Sequence, residues 1–491
     1  MEVGTPPQNV RLLPSTSSSS SWVVLPEGCI SSDPPDCPSL RGGTFNPNES
    51  STWHSQGLFQ LSLYTQSVLG YSGNADIGFE NVTIGWQGQG GPALLVPQVV
   101  AGIATKDFFI GVLGLNARAV NITDLNHPWS SLLGMLRSDK LVNGSSFGYT
   151  AGAPYKPTKV FGSLTFGGYD ASRFVPNNVT FTFGADISRD LLVGIRNIST
   201  TTSEPVDLLT TPITAFIDST VPDIWLPVSV CQQFEQTLGL VYEASTELYL
   251  VNDTLHDALL ARNEVFRFRL GMGVEGGQTV DVMVPYAALD LKVTLPQTHN
   301  RTRYFPIRRA LNDSMYTIGR AFLQEAYLFT DYDRGTFTIS QALFPDTNIP
   351  SKLTPVLAPS STTSPVPRNK GSSPRLTRGA ISGIVVSIFL LLIAMMIAFL
   401  YFWKRVRYTE APAIGGKYGT ELDAGGDAVT FEATSNSERE MEAGGKDGLR
   451  RPLELEGGEV FELSGTEVEV PELGGEGARS AVIDCGKRYR R

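Results

Sequence analysis

An uncharged apolar stretch near the C-terminus constrains the organisation of this chain more than any other feature. Residues 379–403 read GAISGIVVSIFLLLIAMMIAFLYFW, without Asp, Glu, Lys or Arg. As a helix this stretch would be about 37 Å long, enough to cross the hydrocarbon core of a bilayer. Tyr401 and Trp403 are typical of the interfacial aromatic belt, and the basic sequence KRVR follows. A buried core helix is the alternative, but apolar runs of this length are rare in soluble domains. We predict one transmembrane helix at 379–403.

Glycosylation sequons lie on only one side of the predicted helix. The nine acceptor asparagines are Asn48, Asn81, Asn121, Asn143, Asn178, Asn197, Asn252, Asn300 and Asn312. Single sequons arise by chance, but nine on one side indicate an exported, glycosylated region. Basic residues flank the helix on both sides, so charge alone does not decide its orientation. We predict a plasma-membrane or secretory-pathway protein whose N-terminal domain is extracellular or lumenal and whose C-terminal tail is cytoplasmic.

Two segments of biased composition flank the predicted helix. Residues 345–378 are rich in Ser, Thr and Pro, a composition that indicates an extended stalk. Residues 404–491 are rich in Gly and Glu and indicate a disordered acidic tail. The Val/Glu alternation in the tail would also fit a strand, but the tail has little apolar surface to bury.

Composition excludes several classes of function. The formal net charge is -10, and no basic stripe with interleaved aromatics indicates a nucleic-acid partner. No Cys/His group has metal-ligand spacing, and the glycines form neither a P-loop nor a dinucleotide fingerprint. We therefore expect no cofactor and no metal.

The region before the stalk has the pattern of an all-β protein. Short apolar or alternating runs such as VTIGW, PALLVPQVV and TFTIS are separated by Gly, Asn, Asp and Pro turns. One helix is predicted at 227–240, where Val230, Phe234 and Leu238 recur at helical spacing. Many short strands without alternating helices indicate sandwich-like or barrel-like β domains.

Seven short motifs follow one another in this region. They are VGTPPQ at 3–8, PSTSSSSSWV at 14–23, FNPNESSTW at 45–53, IGVLGL at 110–115, GSLTFGGYD at 162–170, AFIDST at 215–220 and a closing block that begins YTIG at 316. In this order they resemble the motifs of the pepsin-like aspartic peptidases, and the predicted stalk and membrane anchor resemble those of fungal yapsin-like proteins. The resemblance implies a bilobal fold with lobes at about 1–168 and 169–344 and a cleft between them. It also implies a disulfide between Cys29 and Cys37, where that family has a small disulfide loop.

The resemblance identifies the positions that carry the chemistry of the family. Its members hold one water between two aspartates that share a proton. Aligned on Trp22, the first aspartate position is Ser15 in this chain, whereas the second keeps its carboxylate as Asp218. A serine hydroxyl neither holds the negative charge nor has an adjacent base in this motif. Tyr71 is the best match for the tyrosine of the substrate-covering flap.

Other positions of the catalytic motifs also depart from the family. Ser17 and Thr220 stand where glycines let the backbone approach the carboxylates. Ser219 replaces a threonine, and Arg320 stands where the closing block has an aspartate. These departures predict a chain that does not work as a protease.

Each of these interpretations has an alternative. Asp218 is either a catalytic remnant or a buried structural aspartate, and the serine run 17–21 is either part of the motif or a linker. Cys231 is either a buried free thiol or pairs between molecules. The four histidines are scattered, which favours surface or structural roles. They are His54, His127, His256 and His299.

Three functions fit this sequence. One is a pseudopeptidase whose cleft binds extended peptides or cell-wall glycoproteins. The others are a weak aspartic endopeptidase that uses Asp218, and a surface sensor that signals through its tail to cytoplasmic partners. Nine sequons without a secretory signal are inconsistent, so we also expect coding sequence upstream of Met1.

Overall fold

A computed structural model describes residues 1–61, 63–85, 93–122, 126–201, 204–293, 302–345 and 350–359. The chain divides into two units: all described residues belong to the first, and the second, 361–447, contains none of them. The predicted membrane span at 379–403, most of the stalk and the whole tail lie outside the described residues, as do Asn300 and His299. No helix in the described ranges is long and apolar enough to cross a membrane.

The described chain is built mainly of short strands. Those of the first half are β1 (Glu2–Val3), β2 (Gln8–Asn9), β3 (Leu12–Ser15), β4 (Ser21–Val24), β5 (His54–Gln60), β6 (Asn74–Thr83), β7 (Ala93–Ile103), β8 (Gly111–Gly114), β9 (Ser146–Thr150), β10 (Ser163–Phe166), β11 (Gly168–Asp170) and β12 (Phe181–Thr182). Those of the second half are β13 (Leu192–Thr200), β14 (Asp207–Leu209), β15 (Ile213–Ile217), β16 (Ile224–Pro227), β17 (Val241–Glu243), β18 (Leu248–Leu250), β19 (Val265–Gly271), β20 (Thr279–Pro285), β21 (Leu291–Val293), β22 (Thr302–Phe305), β23 (Ile307–Ala310), β24 (Thr317–Ile318), β25 (Ala326–Asp331), β26 (Thr336–Gln341) and β27 (Leu353–Pro355). The all-β prediction is confirmed.

The helices in the described part of the chain are few and short. They are α1 (Cys37–Leu40), α2 (Leu132–Ser138), α3 (Val228–Leu238), α4 (Asp253–Arg262) and α5 (Tyr286–Leu289). Helix α3 confirms the helix predicted at 227–240, and its buried face contains the expected Val230, Phe234 and Leu238. It begins directly after Pro227 and ends at Gly239, whose φ of 78° is readily adopted by glycine.

Each half of the chain forms one eight-stranded sheet. The first has the order β2-β1-β6-β7-β4-β8-β3, with β5 paired to β6. The second has the order β20-β19-β13-β15-β24-β16-β23, with β14 paired to β13. These two sheets fit the predicted bilobal architecture, and the boundary at 168/169 stays a prediction.

A five-stranded sheet joins the two halves. Its order is β10-β9-β25-β26-β12, so β25 and β26 from the C-terminal end pair with strands of the N-terminal half. Two smaller sheets, β11-β27 and β17-β18-β22-β21, complete the described structure. The chain thus returns to its first half after it has completed the second.

Parallel strand pairs give the two eight-stranded sheets a common local design. Strand β3 pairs in parallel with β8, and β15 pairs in parallel with β24. Gly114 ends strand β8, and Gly319 directly follows strand β24. A Cβ atom on Gly114 would lie 2.6 Å from the Ser20 carbonyl oxygen, and one on Gly319 would lie 2.2 Å from the Asp223 carbonyl oxygen. Both loops that follow β3 and β15 are therefore held against a glycine backbone that no side chain can replace.

Glu325 is a buried carboxyl group beside the sheet that joins the halves. Tyr155 donates a hydrogen bond to one of its oxygens, and Gln341 donates to the other at 3.1 Å. Burial raises the pKa of Glu325 to about 7, and the hydrogen bonds from Tyr155 and Gln341 offset only part of this effect. The folded chain therefore binds a proton at Glu325 more tightly than the unfolded chain does.

This shift predicts a pH dependence of stability. A raised carboxyl pKa stabilises the fold fully below the ordinary value of 4.5, and this contribution is lost as the pH rises to about 7. We expect Glu325→Gln to remove a decline on the order of 3 kcal/mol in the free energy of unfolding across that range. Denaturant unfolding of both proteins at a series of pH values measures the difference. The same pH dependence of the free energy of unfolding in the wild type and in Glu325→Gln would contradict the prediction.

Candidate active site

Ser15 and Asp218 occupy equivalent places in the two eight-stranded sheets. Ser15 is the last residue of β3, and Asp218 directly follows β15. The Leu115 amide donates to the Ser15 carbonyl at 2.9 Å, and the Asp218 amide donates to the Ile318 carbonyl at 3.0 Å. Both side chains are fully buried. The structure thus brings together the two loops that sequence reasoning matched to the catalytic motifs.

Reciprocal hydrogen bonds lock these two loops together. The Thr16 hydroxyl accepts from the Ser219 amide at 3.0 Å and donates to the Ile217 carbonyl at 3.3 Å. In return, the Ser219 hydroxyl accepts from the Thr16 amide at 3.0 Å and donates to the Pro14 carbonyl at 2.7 Å. Where the family has a threonine, this link uses only its hydroxyl group, and Ser219 retains that hydroxyl. Sequence reasoning missed the link, although hydroxyl residues at both positions were its visible signal.

A cluster of hydroxyl groups lies between the loops. The Ser15 hydroxyl is 2.7 Å from that of Thr220, which is 2.8 Å from that of Ser17. Ser15 also accepts a hydrogen bond from the Ser18 amide at 3.0 Å. Neither Ser17 nor Thr220 has a positive φ, so both loops accommodate their side chains without backbone strain. Ser17 and Thr220, which are predicted to stand in place of the family's glycines, thus extend a chain of three hydroxyls from Ser15.

The Asp218 carboxylate has two partners. One oxygen accepts from the Thr220 amide at 2.9 Å, a local turn that many structural aspartates make. The other accepts from the side-chain amide of Gln66, which also donates to the Ser17 hydroxyl at 2.8 Å. Gln66 is 3% exposed. Nothing in the sequence pattern had indicated this residue.

Arg320 lies behind the same loop. Its guanidinium is buried and donates to the Ser219 carbonyl at 2.8 Å. An aspartate at this position would repel that carbonyl, whereas an arginine binds it. The departure at 320 therefore has a structural role, to support the loop that carries Asp218.

The segment between β5 and β6 contains the predicted flap tyrosine. Tyr71 is buried, with its ring stacked on Phe108 at 5.4 Å between centroids. Burial raises the pKa of the Tyr71 hydroxyl, and the Asp223 carboxylate raises it further. Tyr64 is the exposed tyrosine of this segment, at 75%. The role of Tyr71 in covering a ligand stays a prediction.

The remaining predicted side chains make other contacts. Cys29 and Cys37 form the expected disulfide, and Cys231 is a buried free thiol whose pKa burial raises to about 12. His54 and His127 are exposed. His256 lies 3.3 Å from an Asp290 carboxylate oxygen and 3.2 Å from the Tyr286 hydroxyl.

The order of these loops and motifs matches a known family. A family model described as eukaryotic aspartyl protease matches residues 1–344, more than two-thirds of the 491 residues. The chain belongs to the eukaryotic aspartyl protease family. The predicted resemblance to the pepsin-like aspartic peptidases is therefore confirmed.

Three relatives show the extent of the similarity. Cathepsin E-B of Xenopus laevis is 32% identical over 176 residues, which cover 35% of this chain and 40% of that protein. Cathepsin E-A of the same organism is 31% identical over 180 residues, with the same coverage. Barrierpepsin of Saccharomyces cerevisiae is 23% identical over 389 residues, which cover 72% of this chain and 61% of that protein. Each alignment spans less than two-thirds of the relative's own length.

An aspartyl protease needs two carboxyl groups at this site, and only Asp218 is present at the two matched positions. Within the described part of the chain, no hydrogen bond or ion pair joins Asp218 to a second carboxyl group. No group of three or more His, Cys, Asp or Glu side chains in the described ranges is placed to hold a metal. The Asp218 carboxylate can therefore accept hydrogen bonds, and the hydroxyls of Ser15, Ser17 and Thr220 can donate or accept them.

Proposed function

We propose that this chain is a pseudopeptidase, an aspartyl protease fold that binds extended peptides or cell-surface material in its cleft without hydrolysing them. The Asp218 carboxylate contacts the Gln66 amide and the Thr220 backbone, while Ser15 presents a hydroxyl at the matching position of the other loop. The proton-sharing pair that activates water is incomplete.

The mechanism of the family fails at its first step in this geometry. Two carboxyl groups close together share one proton, so that one accepts a proton from water while the other donates to the substrate carbonyl. A hydroxyl such as that of Ser15 remains neutral at acid pH and cannot take the first role. Asp218 alone can supply one of the two functions, not both.

Ser15 does not supply an alternative nucleophile in place of the water that the family activates. Serine nucleophiles need an adjacent general base within about 3 Å. The partners that Ser15 contacts are the Thr220 hydroxyl and the Ser18 amide. Neither group accepts a proton at physiological or acid pH.

A weakly active aspartic endopeptidase is the second candidate. The locked pair of loops and the buried Asp218 favour it, because they preserve half of the catalytic frame. A working aspartic site binds a pepstatin-type inhibitor through its catalytic carboxyl groups, so inhibitor binding that depends on Asp218 separates the two candidates. At a hundredfold excess over its Kd a ligand stabilises a fold by about 2.7 kcal/mol. We expect no such stabilisation in thermal unfolding. A saturable increase that Asp218→Ala abolishes would favour the endopeptidase.

We further propose that the aspartyl protease domain is extracellular or lumenal and that 379–403 anchors it to a membrane. The one-sided sequons and the uncharged apolar run support this topology. Five sequon asparagines on the described surface are exposed: Asn48, Asn121, Asn178, Asn252 and Asn312.

This topology predicts a pattern of glycan occupancy. We expect glycans at the five exposed asparagines and little at Asn197, whose amide donates to Asp207 at 2.9 Å and to the Leu209 carbonyl at 3.2 Å. Endoglycosidase treatment should increase the mobility of the full chain, and mass spectrometry of the glycopeptides identifies the sites. Absence of glycans from all five exposed asparagines in protein made by a secreting host would contradict the topology.

A further inference from the structure

The segment between β5 and β6 folds into the cleft instead of standing away from it. We call residues 63–71 the plug segment. Hydrogen bonds from the Ser67 amide to the Leu63 carbonyl and from the Tyr71 amide to the Gln66 carbonyl make it compact. It contains a single 3-10 turn, Ser67–Leu69, which ends at Gly70 with a φ of 89°. The glycine permits the reversal that returns the chain to β6.

Apolar side chains of the plug segment pack against both halves of the molecule. Leu69 and Tyr71 belong to a buried cluster that includes Trp22 and Phe108 of the first half. Val221, Trp225, Ala310 and Met315 contribute to the same cluster from the second half. The 3-10 turn also contacts the turn at Asp313–Met315. The plug segment thus bridges the two sides of the cleft.

Gln66 places a primary amide on the retained carboxylate. Its nitrogen donates to Asp218 and to Ser17, and Ser17 in turn contacts Thr220. An ionised carboxylate only accepts hydrogen bonds, so the group that lies against it must be a donor. A carboxamide has two N–H groups on one nitrogen, which matches the two acceptors in this site.

We propose that Asp218, Ser17 and Thr220 form a carboxamide-binding site, which Gln66 occupies in the free protein. The proposal rests on the proposed function, because a peptide in the cleft must displace the plug segment. Its ligand is an extended peptide with a Gln or Asn side chain that takes the place of the Gln66 amide. The chain thus carries an internal competitor for its own ligand.

The contacts favour a carboxamide over a Glu or a Met side chain. A Glu side chain would bring a second carboxylate against Asp218, and a Met side chain would leave the buried acceptors without a donor. Hydrogen bonds to a charged group contribute enough to change affinity about 10- to 100-fold. Selectivity of this size between peptides that differ at one side chain is measurable.

The first experiment asks whether the Gln66 amide holds the plug segment in place. Gln66→Ala removes the side chain, and Gln66→Met keeps its length but removes the amide. Gln60→Ala, an exposed position on the adjoining strand β5, is the matched control. Hydrogen–deuterium exchange of residues 63–71 in the full-length protein should rise about tenfold in both Gln66 variants and stay unchanged in the control. Unchanged exchange in Gln66→Met would overturn the proposal, because packing alone would then hold the segment.

The second experiment tests the ligand. The probes are an end-capped octapeptide with a central Gln and two versions with Glu or Met at that place. We expect the Gln peptide to bind Gln66→Ala at least about tenfold more tightly than wild type, and more tightly than the Glu and Met peptides. Equal binding of the three peptides would overturn the carboxamide site but leave a peptide-binding cleft. If none of the three peptides binds to Gln66→Ala, both the carboxamide site and the proposed peptide-binding function are contradicted.

Discussion

Ser15→Asp alone will leave the protein without measurable peptidase activity, although it restores the second carboxyl group of the family. The new side chain would stand where Ser15 now contacts Thr220 at 2.7 Å, in a cluster filled by hydroxyls. The Ser17 and Thr220 side chains occupy the places of the two glycines that bring the backbone to the carboxylates. Gln66 would still lie on Asp218.

Activity should appear only when these obstacles are removed together. We expect inhibitor-sensitive cleavage first in the combination Ser15→Asp, Ser17→Gly and Thr220→Gly, and more of it when Gln66→Gly is added. The effects of substitutions on residues that act jointly in catalysis are not additive. A misplacement of a catalytic group by about 1 Å can reduce the rate a hundredfold. The combined variant should therefore exceed Ser15→Asp by at least about a hundredfold.

The assay is cleavage of a denatured protein at acid pH, with the same combination plus Asp218→Ala as the control. Turnover by the Ser15→Asp protein alone, sensitive to a pepstatin-type inhibitor, would show that the loops already have catalytic geometry. It would refute the structural role assigned to the hydroxyl cluster.

Arg41→Leu should destabilise the fold more than any surface substitution. The guanidinium is fully buried and donates to five backbone carbonyls. They are those of Gly28, Ala104, Thr105, Phe108 and Phe109, at 2.7 to 3.4 Å. Leucine would leave these buried acceptors without donors. We expect a loss of about 3–5 kcal/mol in the free energy of unfolding.

Arg11→Leu is the matched control for this prediction. The half-buried Arg11 donates to the Ser39 carbonyl at 2.9 Å in a solvent-exposed hydrogen bond. We expect this substitution to change the free energy of unfolding by less than about 1 kcal/mol. Denaturant unfolding under the same conditions compares the variants. A similar small effect at Arg41 would mean that water replaces its contacts and that the arginine does not organise the loops around it.

The sequence predicted the parts of this structure that depend on local pattern or on ordered motifs. The disulfide between Cys29 and Cys37 and the helix around Phe234 were both predicted and both are present. The meeting of the Ser15 and Asp218 loops also followed from the resemblance, because two motifs at equivalent places of the fold define one site.

The remaining features depend on contacts that no local pattern encodes. Gln66 meets Asp218 across 152 positions of sequence, and Thr16 meets Ser219 across 203. The path of the plug segment depends on apolar packing from both halves of the chain, so its direction could not be read from its own residues. From the sequence, Arg320 was interpreted as the loss of an aspartate of the family. In the structure its guanidinium donates a hydrogen bond to the Ser219 carbonyl.

We propose that the unmodified cleft does not hydrolyse peptides. The most direct measurement is cleavage of a denatured protein by the purified full-length chain between about pH 3 and 6, the range in which a carboxyl pair works. Asp218→Ala and a pepstatin-type inhibitor are its controls. We predict that the wild-type chain releases no more product than Asp218→Ala, with or without the inhibitor. Inhibitor-sensitive cleavage by the wild-type chain that Asp218→Ala abolishes would contradict the claim and establish an active endopeptidase.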